Sequence, residues 1–302
     1  MSDKHGHTHS HAAPASSGRL LATMILNFII TAAEIIGGLF SGSLSLISDA
    51  LHNFSDGISV IISYVAIKLR SKQKSYRHTF GLKRAEIFAA VINSSVLVVI
   101  SFYLFYASAK RLIAPQHVEG SLMTIVALIG LIANIAGTLL LLRDSKKSLN
   151  IKSTYLHLLS DAVSSFAVVL GGIAIYYWQV YWIDPILTIL IGLYILKESY
   201  EILVQAVHIL MEGAPPGISL QEIQNAVESL PEVDDIHHIH LWTVGENDIH
   251  LEAHLNVKDM MISDSDVLRK KIEALLHESF GVNHITLQFE CDQCKSVGLV
   301  SK

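Results

Sequence analysis

Charged residues are scarce in this sequence. Only 16% of its 302 residues are Asp, Glu, Lys or Arg, whereas 51% are hydrophobic and the mean hydropathy is +0.45. A soluble domain normally carries about 25% charged residues. The deficit lies before residue 209, because the remainder has the composition of an ordinary soluble domain. The composition therefore favours a membrane protein with a soluble C-terminal part over any single globular class.

Cysteine and basic patches are also nearly absent. Cys291 and Cys294 are the only cysteines, and a lone C-D-Q-C pair indicates metal ligands, a redox pair or no special role rather than a disulfide framework. No concentrated basic face with interleaved aromatic residues is present, so we expect no nucleic-acid partner. The first twenty residues lack the Lys/Arg-rich start and adjoining apolar core of a cleaved signal peptide, so the first apolar segment should remain as a spanning helix.

Six long apolar segments occupy the first two thirds of the chain. Each reaches the roughly 20 residues that a spanning helix needs, and in a bilayer only a helix satisfies the backbone of such a segment. We therefore predict an α-helical membrane protein with six transmembrane helices. The predicted spans lie near 18–40, 45–69, 84–112, 119–142, 152–178 and 183–208.

Basic residues are concentrated in two of the connections between these spans, 70–84 and 143–152. The connections near 41–44 and 179–182 contain no Lys or Arg. By the positive-inside rule the two basic connections face the cytoplasm. Six spans then leave both termini in the cytoplasm as well.

The residues after the spans predict a small cytoplasmic α+β domain. A Gly-Ala-Pro-Pro-Gly linker at 213–217 is followed by SLQEIQNAVESL, a helix that Ser219 and Glu222 should cap as a capping box. Two strands, a second helix and a last strand, HITLQFE, complete an α-β-β-α-β order, which indicates an open-faced sandwich of the ferredoxin-like type. The predicted domains are a disordered His-rich tail, 1–17, a transmembrane domain, 18–208, and the α+β domain, 209–302.

The frame L-H-x-x-S-D occurs twice inside apolar sequence, at 51–56 and 156–161. A His and an Asp four residues apart lie on one face of a helix. Two imidazoles and two carboxylates from two helices make a four-ligand set that suits a borderline divalent ion of tetrahedral preference, most obviously Zn²⁺. The four candidate ligands are His52, Asp56, His157 and Asp161.

Placing such residues inside spans is costly. An ionisable side chain at the centre of a span costs at least about 2.5 kcal/mol, so by default it marks an ion path or a proton relay. Either motif alone could equally be an interhelical hydrogen bond. The repetition favours the metal site, and it suggests a transporter whose site lies between two related halves.

These residues carry a resemblance to a known family. The stretches S-L-I-S-D-A-L-H-N-F-S-D at 45–56, H-T-F-G-L-K-R-A-E at 78–86 and H-L-L-S-D at 157–161, with Asp184-Pro185, resemble those of the cation diffusion facilitators. The zinc transporters of that family have six spans and a cytoplasmic ferredoxin-like domain. The resemblance implies that the two motifs form the transport site. It also implies that a homodimer exports Zn²⁺ in exchange for protons by alternating access.

The resemblance also implies that the cytoplasmic domain has a site that binds zinc as a regulatory ligand. Its matching positions are His240, His254 and Glu290. Vertebrate vesicular relatives have a C-x-x-C shortly after that acid, which makes Cys291 and Cys294 further candidates, although here they stand closer to the acid than in those relatives. Surface histidines that are merely solvated are the alternative. The short 143–152 connection lacks the long His-rich loop of many eukaryotic relatives, which favours a bacterial inner membrane.

Two smaller features depend on the same resemblance, and a third depends on the residue types alone. The loop after the second span keeps only His78 of a second metal site that some relatives hold there, so we expect that site to be absent or weak. Arg84 matches one side of an ionic hinge for which Glu212 is the candidate partner, with a plain interfacial charge as the alternative. Polar residues in other spans could line the pathway, relay protons or form interhelical hydrogen bonds, and Asp184 could simply cap the sixth helix. Those in the spans are Asn27, Glu34, Asn134 and Asp184.

The N-terminal stretch H-G-H-T-H-S-H predicts a weak metal collector in a disordered segment, with an expression tag as the alternative. Its histidines are His5, His7, His9 and His11.

Two functions from other classes compete with transport. An intramembrane zinc hydrolase would keep three ligands, an open position and a general base, whereas four symmetric ligands leave no position for water and no H-E-x-x-H is present. We therefore expect no enzyme. A non-transporting zinc sensor, or the same fold exporting Cd²⁺ or Co²⁺, is the alternative reading.

Overall fold

The computed structural model describes residues 17–70, 75–142, 149–245, 248–291 and 299. Six long helices precede an α-β-β-α-β segment, in the order that the sequence predicts. The long helices are α1 (Ser17–Ser41), α2 (Leu44–Arg70), α3 (Ala85–Ile113), α4 (Gly120–Leu141), α5 (Leu149–Trp178) and α6 (Ile183–Leu210). The described chain forms two compact units. One contains the residues up to Ile61 with Asn93–Tyr200, and the other contains Ile62–Ile92 with the residues from Glu201 onwards.

Three of the long helices are long and apolar enough to cross a membrane, counted over the described residues. They are Ala85–Ile113, Gly120–Leu139 and Tyr155–Trp178, and a fourth apolar stretch, Asn27–Ser41, is shorter. Helix α6 carries several charged residues that lower its apolar character, Asp184, Lys197, Glu198 and Glu201. The protein therefore has a membrane domain, and a count of six spans stays a prediction.

The first unit buries an apolar core between its helices and exposes apolar side chains on the outside. Leu46, Met123, Val168 and Ile195 are among the fully buried members of that core. Exposed aromatic residues gather where α5 ends and α6 begins, as is typical of the interfacial belt of a membrane protein. These are Tyr176, Tyr177, Trp178 and Trp182.

Asp184 lies in the first turn of α6, but its side chain caps a different helix. Its carboxylate accepts hydrogen bonds from the backbone N–H groups of Leu44 and Ser45, at 2.9 and 3.1 Å, where α2 begins. The hydroxyls of Ser43 and Ser45 donate to it at 2.6 and 2.7 Å, and Arg111 contacts it at 3.4 Å. The first N–H groups of a helix lack intrahelical partners and favour negative charge. The suggestion that Asp184 caps α6 is therefore corrected: it caps α2.

The second unit contains a three-stranded sheet covered on one face by two helices. The helices are α7 (Leu220–Glu228) and α8 (Ile262–Phe280), and the strands are β1 (Val233–Thr243), β2 (Ile249–Val257) and β3 (His284–Glu290). The strand order is β1-β2-β3, with β1 antiparallel and β3 parallel to β2. Buried Ile223 of α7 and Ile272 of α8 belong to the same core as Leu251, Ala253 and Leu255 of β2.

The predicted capping box at α7 is not formed. Ser219 is the N-cap residue, but its side chain makes no capping hydrogen bond. Its backbone carbonyl instead accepts from the N–H groups of Glu222 and Ile223, at 3.1 Å each.

A bulge in β1 decides which histidines share a face. The pairing shifts by one residue between His237, which lies opposite His254, and His240, which lies opposite Glu252. His238, inside the bulge, has a φ of 53°, a left-handed conformation that is uncommon for a residue other than glycine. Because side chains of β2 alternate between its faces, the extra residue puts both His237 and His240 on the face opposite the helices.

Candidate metal sites

The four residues of the twin motif lie together between α2 and α5. His157 Nε2 lies 3.0 Å from Asp56 Oδ2 and 3.6 Å from Asp161 Oδ2. His52 Nε2 lies 3.7 Å from Asp56 Oδ2 and 3.6 Å from Asp161 Oδ1. Asp161 thus faces both imidazoles, one through each oxygen, and Asp56 faces both through the same oxygen.

These separations fit a tetrahedral metal ion. Ligand atoms that surround a zinc ion at about 2.0–2.1 Å and at tetrahedral angles lie about 3.3 Å from one another. The recorded distances lie on either side of that value, and the ligating atoms of His52, His157 and Asp161 all lie within 4.8 Å of one another. A four-coordinate ion could therefore be held with small side-chain movements.

The inner half of the cluster contains buried ligand atoms that lack hydrogen bonds. The side chains of His52 and Asp161 are 7% and 4% exposed, and within the described residues His52 Nε2 and Asp161 Oδ1 have no hydrogen-bond partner. Buried polar atoms normally have a partner, so an ion between them would satisfy both. Asp56 and His157 are more accessible, at 30% and 34%.

Helix α6 contributes two residues that the sequence pattern does not reveal. Glu198 Oε2 lies 4.0 Å from His52 Nε2, and Tyr194 donates a hydrogen bond of 2.7 Å to Glu198 Oε1. The Tyr194 ring also lies edge-on to that of His52, at 5.8 Å. Only the i,i+4 spacing of Tyr194 and Glu198 hints at a shared face, and nothing in the sequence directs that face towards α2.

A second cluster, the open-face cluster, lies on the face of the sheet opposite α7 and α8. His254 Nδ1 lies 2.8 Å from Glu290 Oε1, and His237 Nε2 lies 3.4 Å from Glu290 Oε2. His237 Nε2 and Glu290 Oε2 are buried, and neither has a hydrogen-bond partner in the part of the chain that the structure describes. The three side chains come from β1, β2 and β3, and their ligating atoms lie within 4.8 Å of one another.

The Asp235 carboxylate, outside this cluster, orients the His237 imidazole. His237 Nδ1 lies 2.6 Å from Asp235 Oδ1, and the Asn256 amide donates to the other oxygen of Asp235 at 3.1 Å. Donation of the Nδ1 proton to Asp235 leaves the Nε2 lone pair directed at Glu290. Metal-binding histidines commonly have this support.

His237, rather than the predicted His240, thus joins His254 and Glu290. His240 is exposed, and its ring contacts that of His238 at 5.0 Å. The alternating pattern of β1 cannot reveal the bulge that brings His237 opposite His254. Cys291 is exposed at the end of β3. Cys294 and the N-terminal histidines His5, His7, His9 and His11 lie outside the described residues.

The connection between α2 and α3 contains two residues for which the sequence makes a prediction, Arg84 and His78. Arg84 donates a hydrogen bond to Glu212 Oε1 at 3.1 Å, so the predicted ion pair is confirmed. His78 is exposed in a turn whose backbone is paired with that of Ser75. It is a loop residue that belongs to neither group of three metal ligands found in the described chain.

Comparison with known proteins identifies both parts of the chain. Residues 20–211 match the cation efflux transmembrane domain, and residues 215–291 match the cytoplasmic domain of cation efflux proteins. A zinc transporter ZitB of Pectobacterium atrosepticum is 37% identical over 95% of this chain and 90% of its own length. A cadmium, cobalt and zinc/H(+)-K(+) antiporter of Bacillus velezensis is 36% identical over 94% and 92%. A metal cation efflux system protein CzcD of Cupriavidus metallidurans is 32% identical over 96% and 91%.

Proposed function

The chain belongs to the cation diffusion facilitator family, and from that premise we propose that it exports Zn²⁺ from the cytoplasm in exchange for protons. The proposed transport site consists of His52, Asp56, His157 and Asp161. The observation that carries the proposal is the convergence of two imidazoles and two carboxylates from α2 and α5, at separations of 3.0 to 3.7 Å.

The chemistry of these ligands couples zinc to protons. An imidazole binds a metal only when it is neutral, and a carboxylate binds only when it is ionised, so loading the site expels protons. If zinc binds from one side of the membrane and leaves on the other, the protons move in the opposite direction. Zinc affinity should accordingly rise with pH, because fewer protons then compete for the ligands.

The pattern of exposure supports an opening towards the cytoplasm. In α2 the more exposed ligand, Asp56, is the one nearer the basic connection, and in α5 the same holds for His157. The buried ligands, His52 and Asp161, lie nearer the other end of their helices. Since the positive-inside rule assigns the basic connections to the cytoplasm, this exposure supports the proposal that the site accepts zinc from the cytoplasm.

The rest of the proposed arrangement follows from the family and the sequence. Six spans place both termini in the cytoplasm, two copies of the chain form a homodimer, and the host membrane is a bacterial inner membrane. The relatives named above are bacterial.

The open-face cluster of His237, His254 and Glu290 supports a second role for zinc, as a regulatory ligand of the cytoplasmic domain. Its three donors come from three different strands, so a bound ion would tie the strands together. The Asp235 carboxylate beside His237 Nδ1 supplies the outer contact that such a site needs.

Two alternatives remain. The name of the Bacillus velezensis relative includes cadmium and cobalt, so one of these ions could be cargo here as well. A zinc sensor that does not transport is the second alternative. The family contains transporters, and no enzymatic family is indicated.

Proteoliposomes with an acidic lumen test the proposal. Outward proton movement should drive zinc inwards, where a zinc-sensitive dye reports it, and parallel assays with Cd²⁺ and Co²⁺ reveal selectivity. Zinc that binds without moving would favour the sensor. Faster flux of cadmium or cobalt than of zinc would replace zinc as the preferred cargo.

A further inference from the structure

Glu34 is a fully buried carboxyl group that the proposed transport site does not use. It lies on α1 and is 0% exposed. The Asn53 side-chain amide donates a hydrogen bond to Glu34 Oε2 at 3.0 Å, and among the described residues Glu34 Oε1 has no hydrogen-bond partner. Asn53 itself is held in place by Asn27, which donates to its backbone carbonyl at 3.2 Å. One neutral donor is thus the whole recorded support of this carboxyl group.

Helix α4 leaves space for this group. Gly130 lies against it, and a Cβ atom at that position would come 2.4 Å from Glu34 Oε1. Any larger residue would have to displace the carboxyl group. Because Gly130 has no side chain, there is room for a hydrogen atom on Glu34 Oε1.

The charged groups that act electrostatically on Glu34 are both acidic. They are Asp49 on α2 and Asp161 on α5, while α4 presents the uncharged Gly130. Both oxygens of Asp49 are already engaged, by the hydroxyls of Ser164 at 2.8 Å and Ser165 at 3.1 Å. None of the partners recorded for Glu34 in the described chain is a cation. A buried carboxylate without a cation or several donors is strongly disfavoured, so this environment favours the uncharged acid.

We propose that Glu34 carries one of the protons that this protein exchanges for zinc, an inference that rests on the function proposed above. With the transport site empty, the Glu34 carboxyl group keeps its O–H bond. When Zn²⁺ binds beside Asp161, its charge offsets that of the Asp161 carboxylate, which acts electrostatically on Glu34. The O–H bond then breaks, the electron pair stays on the carboxylate, and the proton passes to cytoplasmic water. After zinc leaves on the other side, the carboxylate takes a proton from water there.

Glu34→Gln separates this role from a structural one. Glutamine has nearly the same shape and can still accept the hydrogen bond from Asn53, but it cannot release a proton. Full-length protein in detergent is titrated with ZnCl₂ in weak buffer, and a pH-indicator dye counts the protons released per zinc bound. We expect Glu34→Gln to bind zinc and to release about one proton fewer per ion than the wild type. Glu34→Asp, which keeps a carboxyl group, should restore the count.

Glu119→Gln is the matched control, because it removes an exposed carboxyl group that only accepts from Ser121 in the described structure. It should leave the count unchanged. An unchanged proton count in Glu34→Gln would overturn the proposal for Glu34 while leaving zinc transport intact. Wild-type protein that binds zinc without releasing protons would overturn both this proposal and the proton coupling.

Infrared difference spectroscopy tests the same step without relying on the glutamine variant. Zinc binding to the wild type should abolish the C=O stretch of one protonated carboxyl group, and Glu34→Asp should shift that band. The absence of such a band would contradict the proposal even if Glu34→Gln failed to fold.

Discussion

The two aspartates of the proposed transport site differ in their surroundings. Asp161 is 4% exposed and faces one imidazole with each of its oxygens, whereas Asp56 is 30% exposed and uses a single oxygen. Water can take the place of a lost ligand at Asp56 more easily than at Asp161. The structure therefore predicts unequal effects for two substitutions that the sequence motif treats alike.

We expect Asp161→Asn to weaken zinc binding more than Asp56→Asn. Each variant loses one charged ligand, so affinity should fall by at least about tenfold, equivalent to about 1.4 kcal/mol. The loss should be larger at Asp161, where the amide is buried between two histidines. Competitive zinc titration of both variants measures the difference. A larger effect at Asp56 would contradict the recorded geometry.

In the open-face cluster, His237→Ala should lower the number of zinc ions bound per chain, and His240→Ala should not. His237 faces Glu290, whereas His240 is exposed and displaced by the bulge. Both changes are made in the Asp161→Asn background, which limits binding at the transport site. Metal analysis after dialysis gives the count. Equal losses in the two variants would show that the bulge does not select the ligand.

At the scale of elements, apolar runs were enough to predict the six long helices. The predicted bounds lie within three residues of the observed ones, because most of the runs are interrupted by glycine, proline or a group of basic residues. Apolar patterns and the breaks between them also predicted the α-β-β-α-β order of the C-terminal domain. The twin L-H-x-x-S-D motif also identified which residues of α2 and α5 converge.

Features that depend on a partner element were not predictable. The bulge in β1 is a property of its pairing with β2, so the choice between His237 and His240 could not be read from either strand. The position of Glu198 depends on how α6 packs against α2. The capping role of Asp184 joins residues about 140 positions apart.

The cap on α2 should contribute strongly to stability. Asp184→Ala leaves the first N–H groups of α2 without their acceptor and leaves Arg111 without its carboxylate. Breaking such a buried charged contact costs about 3–5 kcal/mol. Ser45→Ala, the milder control, removes a single hydroxyl donor and should cost about 1 kcal/mol. Denaturant unfolding in detergent measures both, and equal costs would mean that the carboxylate is not the centre of this contact.

At the scale of the whole molecule, three helices contribute residues to both compact units. They are α2, α3 and α6. Helix α2 is thus one continuous element that carries both His52 and Asp56 and continues into the unit that contains the cytoplasmic domain. The N-terminal histidines lie outside the described residues.

Deletion of residues 1–11 should weaken zinc capture without abolishing transport. The alternate histidines of this segment would raise the local zinc concentration, while the proposed transport site lies elsewhere in the chain. Flux should therefore fall at low zinc and match the wild type at saturating zinc. A variant that replaces only His5, His7, His9 and His11 with serine separates the histidines from the loss of chain length. Loss of flux at saturating zinc would contradict the collector role.

The most direct test of the account is zinc flux into liposomes that carry the wild-type protein or Asp161→Ala, with and without an imposed pH gradient. We predict flux into vesicles with an acidic lumen for the wild type, little flux without the gradient, and no flux in either condition for Asp161→Ala. This result requires both proton coupling and the proposed site. Gradient-driven flux that persists in Asp161→Ala would contradict the assignment of the zinc path to this cluster.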